Sequence, residues 1–90
     1  NYLYIMETEN IFKNNSENEK ILYCYNNDTT SIDQVVAWFV LYMGYSVPYA
    51  VMLASIINND KRAPIYKGTD KQLETLKRIF ENKGLKTSIE

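Results

Sequence analysis

ILYCYNNDTTSIDQVVAWFVLYM, from Ile21 to Met43, holds a strand, a polar turn and a helix in direct succession. Ile21 to Tyr25 is an apolar run of the length and aromatic content that fill strands. It breaks into Asn26-Asn27-Asp28-Thr29-Thr30-Ser31, residues whose short side chains bond to nearby backbone and favour turns. Ser31, with Gln34 three residues on, has the spacing of a capping box, and Gly44 supplies the left-handed residue that ends a helix. From Val35 onward the helix is apolar all round, a pattern that predicts a buried element. Short polar groups held between two apolar elements, at a helix entrance, form a candidate site for a small polar or charged group. This points to a binding module more than to an enzyme.

Working outward, Ser46 caps a second helix with Pro48 in its first turn, where a missing N–H is harmless. Val47, Ala50, Val51, Leu53, Ala54, Ile56 and Ile57 make it apolar, and it dissolves at Asn58-Asn59-Asp60. Residues 62–66 predict a short strand that Pro64 confines to a sheet edge, and Lys67-Gly68 a turn. Thr69 with Gln72 opens a third helix faced by Leu73, Leu76, Ile79 and Phe80; Gly84 stops it, and residues 85–90 form a last strand. The order β-α-α-β-α-β predicts an α/β (α+β) domain. Its three-stranded antiparallel sheet is expected to be covered on one face by three helices. Residues 1–20 read as an arm or linker and 21–90 as the domain. Within the arm, Tyr2 to Met6 is an apolar pentad expected to order only on a sheet edge or another molecule. Residues 7–19 are mostly polar, with Ile11-Phe12 as an island, and are expected to be mobile or extended.

The chain has 90 residues, 46% of them apolar, ten basic, eleven acidic, no His and one Cys. One domain with a real core is expected. A single cysteine excludes an internal disulfide framework, and Cys24, inside the first apolar run, reads as a buried structural thiol. Without His, neither a zinc site nor a Cys–His catalytic pair is expected. Asp28 and Asp33 sit so near a helix start that capping accounts for them. The near-neutral charge gives no footprint for nucleic acid, and no apolar run has the length of a membrane span. No cofactor is expected. The eight tyrosines read as packing residues, Trp38, Ile32 and Met52 as core, and Lys61-Arg62 as a solvated turn. A chain that opens on Asn1 is expected to be an excerpt, so a targeting segment cannot be read from it.

The order of elements, the turn Asn26-Asn27-Asp28-Thr29-Thr30 and the segment from Val35 to Asp60 resemble the ClpS adaptor family. The likeness covers about residues 20–90. The family signature, Asn-Asp-Asp-x-Thr-Pro-Met, stands here as Asn26-Asn27-Asp28-Thr29-Thr30-Ser31-Ile32, and alignment continues without a gap through Tyr45, Ala50 and Ala63. The stretch from Gly68 to Glu90 looks like the C-terminal domain of the ribosomal stalk protein, which shares that fold. The lysine-rich loop of the stalk domain is replaced here by Gly44-Tyr45-Ser46-Val47, which disfavours its translation-factor function. The third helix is shorter than in typical ClpS, so positions after Tyr66 transfer less securely.

The ClpS resemblance implies an adaptor with no chemistry of its own. It would present proteins bearing destabilising N-terminal residues to a Clp-type AAA+ unfoldase, in the cytoplasm or a plastid-type organelle stroma. A free α-amino group carries three donors and a positive charge, and so requires acceptors, at least one of them charged. Carried over by position, Asn26 is the amide acceptor, Asn27 the key carboxylate position, Asp28 the second Asp and Thr30 the turn threonine. Ile32 stands at a gating methionine and Asn58 at a histidine that holds the amino group. Val35, Ala54, Ile57 and Leu85 would line the hole for the first side chain. A register shifted by one would match Asn27-Asp28 to the Asn-Asp pair, but the gapless register better fits the apolar pattern of both helices. Asn27 and Asn58 replace charge and imidazole, implying weaker binding. The alternative is a ClpS-fold scaffolding domain that has lost this activity, or, less favoured, a stalk-like factor-binding module.

Overall fold

The computed structural model describes residues 19–90. Strand β1 spans Lys20–Tyr25, helix α1 Ile32–Met43, helix α2 Val47–Asp60, strand β2 Arg62–Gly68, helix α3 Asp70–Asn82 and strand β3 Thr87–Ile89. The fold is α+β, with one three-stranded antiparallel sheet in the order β2-β1-β3 and three helices. Expectations about residues 1–18, the pentad Tyr2 to Met6 included, lie outside the described residues. No described helix is long and apolar enough to cross a membrane.

Caps set the helix boundaries. Ser31 Oγ accepts from the Gln34 N–H at 3.2 Å while Gln34 Oε1 accepts from the Ser31 N–H at 3.3 Å, and Thr69 and Gln72 repeat the exchange at α3. Ser46 caps α2 through the Tyr49 N–H. Gly44 ends α1 at φ 70°, in the left-handed region where a residue without Cβ is least strained.

Leu22 and Cys24 point from β1 into the core, where Ala63, Ile65, Ala50, Leu53 and Ala54 meet them. Phe39 of α1 meets Phe80 of α3 edge to face at 5.8 Å, and both rings are fully buried. Both sheet edges are blunted. On β2, Tyr45 Oη donates to the Ile65 carbonyl at 2.6 Å beside Pro64, where the register with β1 shifts. On β3, Lys77 Nζ donates to the Thr87 carbonyl at 3.0 Å.

Several expectations need correction. β1 begins at Lys20, β2 runs on to Gly68, and Leu85 precedes β3. Lys20 pairs with Gly68, so Lys67-Gly68 is ladder rather than turn. Leu85 is buried and donates its N–H to the Phe80 carbonyl, which keeps it out of the sheet. Helix α1 buries only Val35 and Phe39, and Leu41 is 70% exposed. Its inner face is covered by α2 and α3, and no further described element lies over the outer one. Ile32 and Met52 are likewise exposed rather than core. Trp38 packs half-buried against the core, with Lys83 Nζ 5.3 Å from its ring centre. Lys61 is an exposed left-handed cap, but Arg62 is no solvated turn. Its guanidinium lies 4.1 Å over the Tyr23 ring and bonds to Tyr25 Oη and to Glu90 at 2.6 Å.

Two carboxylates tie stability to acid pH. A hydrogen bond from Lys77 holds Glu81 below the usual carboxylate range, and one from Arg62 does the same for Glu90. A depressed pKa gives stability that is present above the unfolded value and is lost as pH falls through the folded one. Both groups are substantially exposed, so the effect is small. The thermal midpoint is expected to drop as pH falls through and below the carboxylate range, and to drop less steeply in Glu81→Gln/Glu90→Gln.

Candidate functional site

The turn after β1 is held by its own side chains. The Asn26 N–H donates to the Lys61 carbonyl at 2.8 Å, anchoring the turn to the end of α2. Asn27 Oδ1 accepts from the Thr29 N–H at 2.8 Å and from Thr29 Oγ1 at 2.7 Å, an Asx arrangement. Asn27 Nδ2 donates to the Gly84 carbonyl, bridging to the loop between α3 and β3. Asn26 Oδ1 accepts from the Asn27 N–H at 3.0 Å. Such a turn presents its remaining groups in a fixed arrangement.

Beneath it lies a cavity of about 210 Å³, bounded by this turn, the first turn of α1, the last turns of α2 and the loop after α3. Val35, Ala54, Ile57 and Leu85 give it buried apolar walls. Asn26, Asp28, Thr30, Ile32 and Asn58 stand with Asn27 among its polar and outer lining. The structure thus brings all ten residues singled out in the sequence around one cavity. Cys24 and Tyr25 also border it and were not singled out as site residues. Strand alternation carried the signal for Cys24, because residues 22 and 24 share one face of β1 and position 26, in the turn just beyond it, continues that side.

Asp28 is the single formal charge among the residues lining the cavity. Among the described residues, its carboxylate, the Thr30 hydroxyl and the Asn58 amide make no hydrogen bond, so each can meet a ligand. Asn58, in the last turn of α2, lies near the negative end of that helix dipole. A cavity with an apolar wall on one side and a polar, negative mouth suits a ligand with an apolar body and a cationic head. An apolar cavity of about 150 Å³ can hold a benzene ring, so this one has room for one large side chain.

Asn27 departs from the role its position implies. Both acceptor directions of its Oδ1 are used by Thr29 and its Nδ2 is used by Gly84, so the amide has no lone pair left for an ammonium.

The site offers little to a metal or to covalent chemistry. Its donors are one carboxylate, amides, hydroxyls and a thiol that burial pushes up to about 12. Cys24 is expected to resist a disulfide reagent in the folded protein and to react only as fast as the core opens. Rapid labelling under native conditions, without loss of structure, would contradict the closed floor. Compared with protein-family models and with curated proteins, the chain matches neither.

Proposed function

We propose that this domain is a ClpS-like adaptor whose cavity binds the free amino terminus of a protein together with its bulky apolar first side chain. One observation carries the reading: a cavity of about 210 Å³, with Val35, Ala54, Ile57 and Leu85 in its wall and polar groups around the rest, has Asp28 as the single formal charge of its lining. The ammonium meets Asp28, with Asn26, Thr30 and Asn58 as further acceptors, and the first side chain enters between Val35, Ala54, Ile57 and Leu85. Ile32, β-branched and 46% exposed, stands beside the mouth and selects which side chains enter. Delivery to a Clp-type AAA+ unfoldase, in the cytoplasm or a plastid-type stroma, follows from the resemblance in sequence.

The test is fluorescence anisotropy with Leu-, Phe- and Met-initiated peptides against their N-acetylated forms. Tighter binding of the free forms is expected, at lower affinity than in a domain with two carboxylates at the mouth. A second reading, a scaffolding domain that has lost this activity, is favoured by the commitment of Asn27 to Thr29 and Gly84. Equal affinity for free and acetylated peptides would select it. Delivery is tested separately, by whether the domain speeds degradation of a Phe-initiated reporter by a Clp protease.

A further inference from the structure

Two open hollows meet at Tyr66, at the end of the sheet where the chain enters β1 and opposite the peptide cavity. One, of about 270 Å³, is bounded by Ile21, Tyr45, Tyr49 and Lys67, and the other, of about 340 Å³, by Tyr42, Lys71 and Leu76. Tyr49 is 42% exposed and Tyr42 37% exposed, in a segment with no charged residue between Asp33 and Asp60. Surfaces rich in Tyr and poor in charge have the composition of interface cores.

We propose that Tyr2-Leu3-Tyr4-Ile5-Met6 of this same chain seats on these two hollows, with Glu7 and Glu9 against Lys67 and Lys71. Five consecutive apolar residues gain about 25 cal/mol for each Å² of apolar surface they bury, and one of these hollows adjoins the start of β1, where the arm joins the domain. Ile21 itself lines one of them, and Lys20 is fixed beside them by pairing with Gly68 and by an ion pair with Asp70 at 3.3 Å. The 13 residues from Glu7 to Glu19 can span about 43–47 Å at full extension, so reach is no obstacle. A tether of this kind sets an effective concentration on the order of mM, so even a weak contact is populated.

The charge order fits as well. Acidic residues follow the pentad directly, and a lysine rims each hollow. Strand addition is disfavoured, because Tyr45 and Pro64 blunt the β2 edge and Lys77 blunts that of β3. Side chains therefore carry the contact. In an extended segment residues i and i+2 lie on one side about 6.4–6.8 Å apart, which lets alternate residues of the pentad enter adjoining hollows.

The experiment uses the full chain with Tyr4→Cys carrying a nitroxide. Cys24 does not compete for the label, being fully buried with its thiol pushed up to about 12. The backbone amides of Tyr42, Tyr49, Tyr66, Lys67 and Lys71 are expected to lose most of their intensity, while those of Asn26 to Thr30 keep theirs. Lys67→Glu/Lys71→Glu, exposed substitutions outside the core, should restore much of the lost signal. Isotope-labelled chain mixed with spin-labelled, isotopically unlabelled chain should show no broadening. Broadening confined to that mixture would mean a second copy and overturn the proposal. Uniform intensities, or broadening centred on another face, would overturn it equally.

Discussion

Phe39→Ala is expected to cost about 3–5 kcal/mol, the usual range for emptying a buried aromatic site. Phe39 is fully buried and meets Phe80 edge to face, joining α1 to α3. Since the whole stability of a domain is typically about 5–15 kcal/mol, the variant should sit near its unfolding threshold. Leu41, on the same helix and equally apolar, is 70% exposed, and Leu41→Ala should stay within about 0.5 kcal/mol. Urea unfolding of the two variants measures the contrast. Similar losses would mean that α1 is buried on both faces, as its sequence alone suggests.

Asp28→Asn is expected to weaken binding of a free amino-terminal peptide by about 1.5–3 kcal/mol, roughly ten- to a hundredfold, because it removes the charged partner of the ammonium. Acetylated peptide should bind the variant and the parent alike. Loss of binding to both forms would point instead to damage to the turn. From the sequence, Asn27→Asp should recover a similar amount by restoring the carboxylate. The structure reverses this expectation. Asp at 27 keeps the acceptor for Thr29 but loses the donor to Gly84, and sets a carboxylate against that carbonyl. A destabilisation of about 1–3 kcal/mol is expected in urea, with no gain in peptide affinity. A gain in affinity at unchanged stability would show that the side chain can turn toward the cavity.

The site was legible in its composition and not in its bonding. The positions around the cavity, the apolar lining of Val35, Ala54, Ile57 and Leu85 included, came from alignment to the family the sequence resembles. That Asn27 is spent on Gly84, 57 residues away, has no sequence signal, because asparagines make this bond or face solvent with equal ease. Arg62 shows the same limit. Next to Lys61 it reads as a charged turn, yet the pairing of Arg62 with Tyr25 carries its guanidinium over Tyr23.

The boundaries of the helices and their order were written in interactions that reach three or four residues: Ser31 with Gln34, Thr69 with Gln72, Gly44 closing on Val40. Such contacts depend on spacing alone, so they can be read before anything is packed. Ile21 to Tyr25 is apolar throughout, so the inward turn of Leu22 and Cys24 was left to packing. Packing settled the rest. The exposed side of α1, the extension of β2 to Gly68, the withdrawal of Leu85 from the sheet and the commitment of Asn27 each depend on a partner far along the chain. Where several partners would satisfy the same side chain, register and packing choose among them, and neither is set by local spacing.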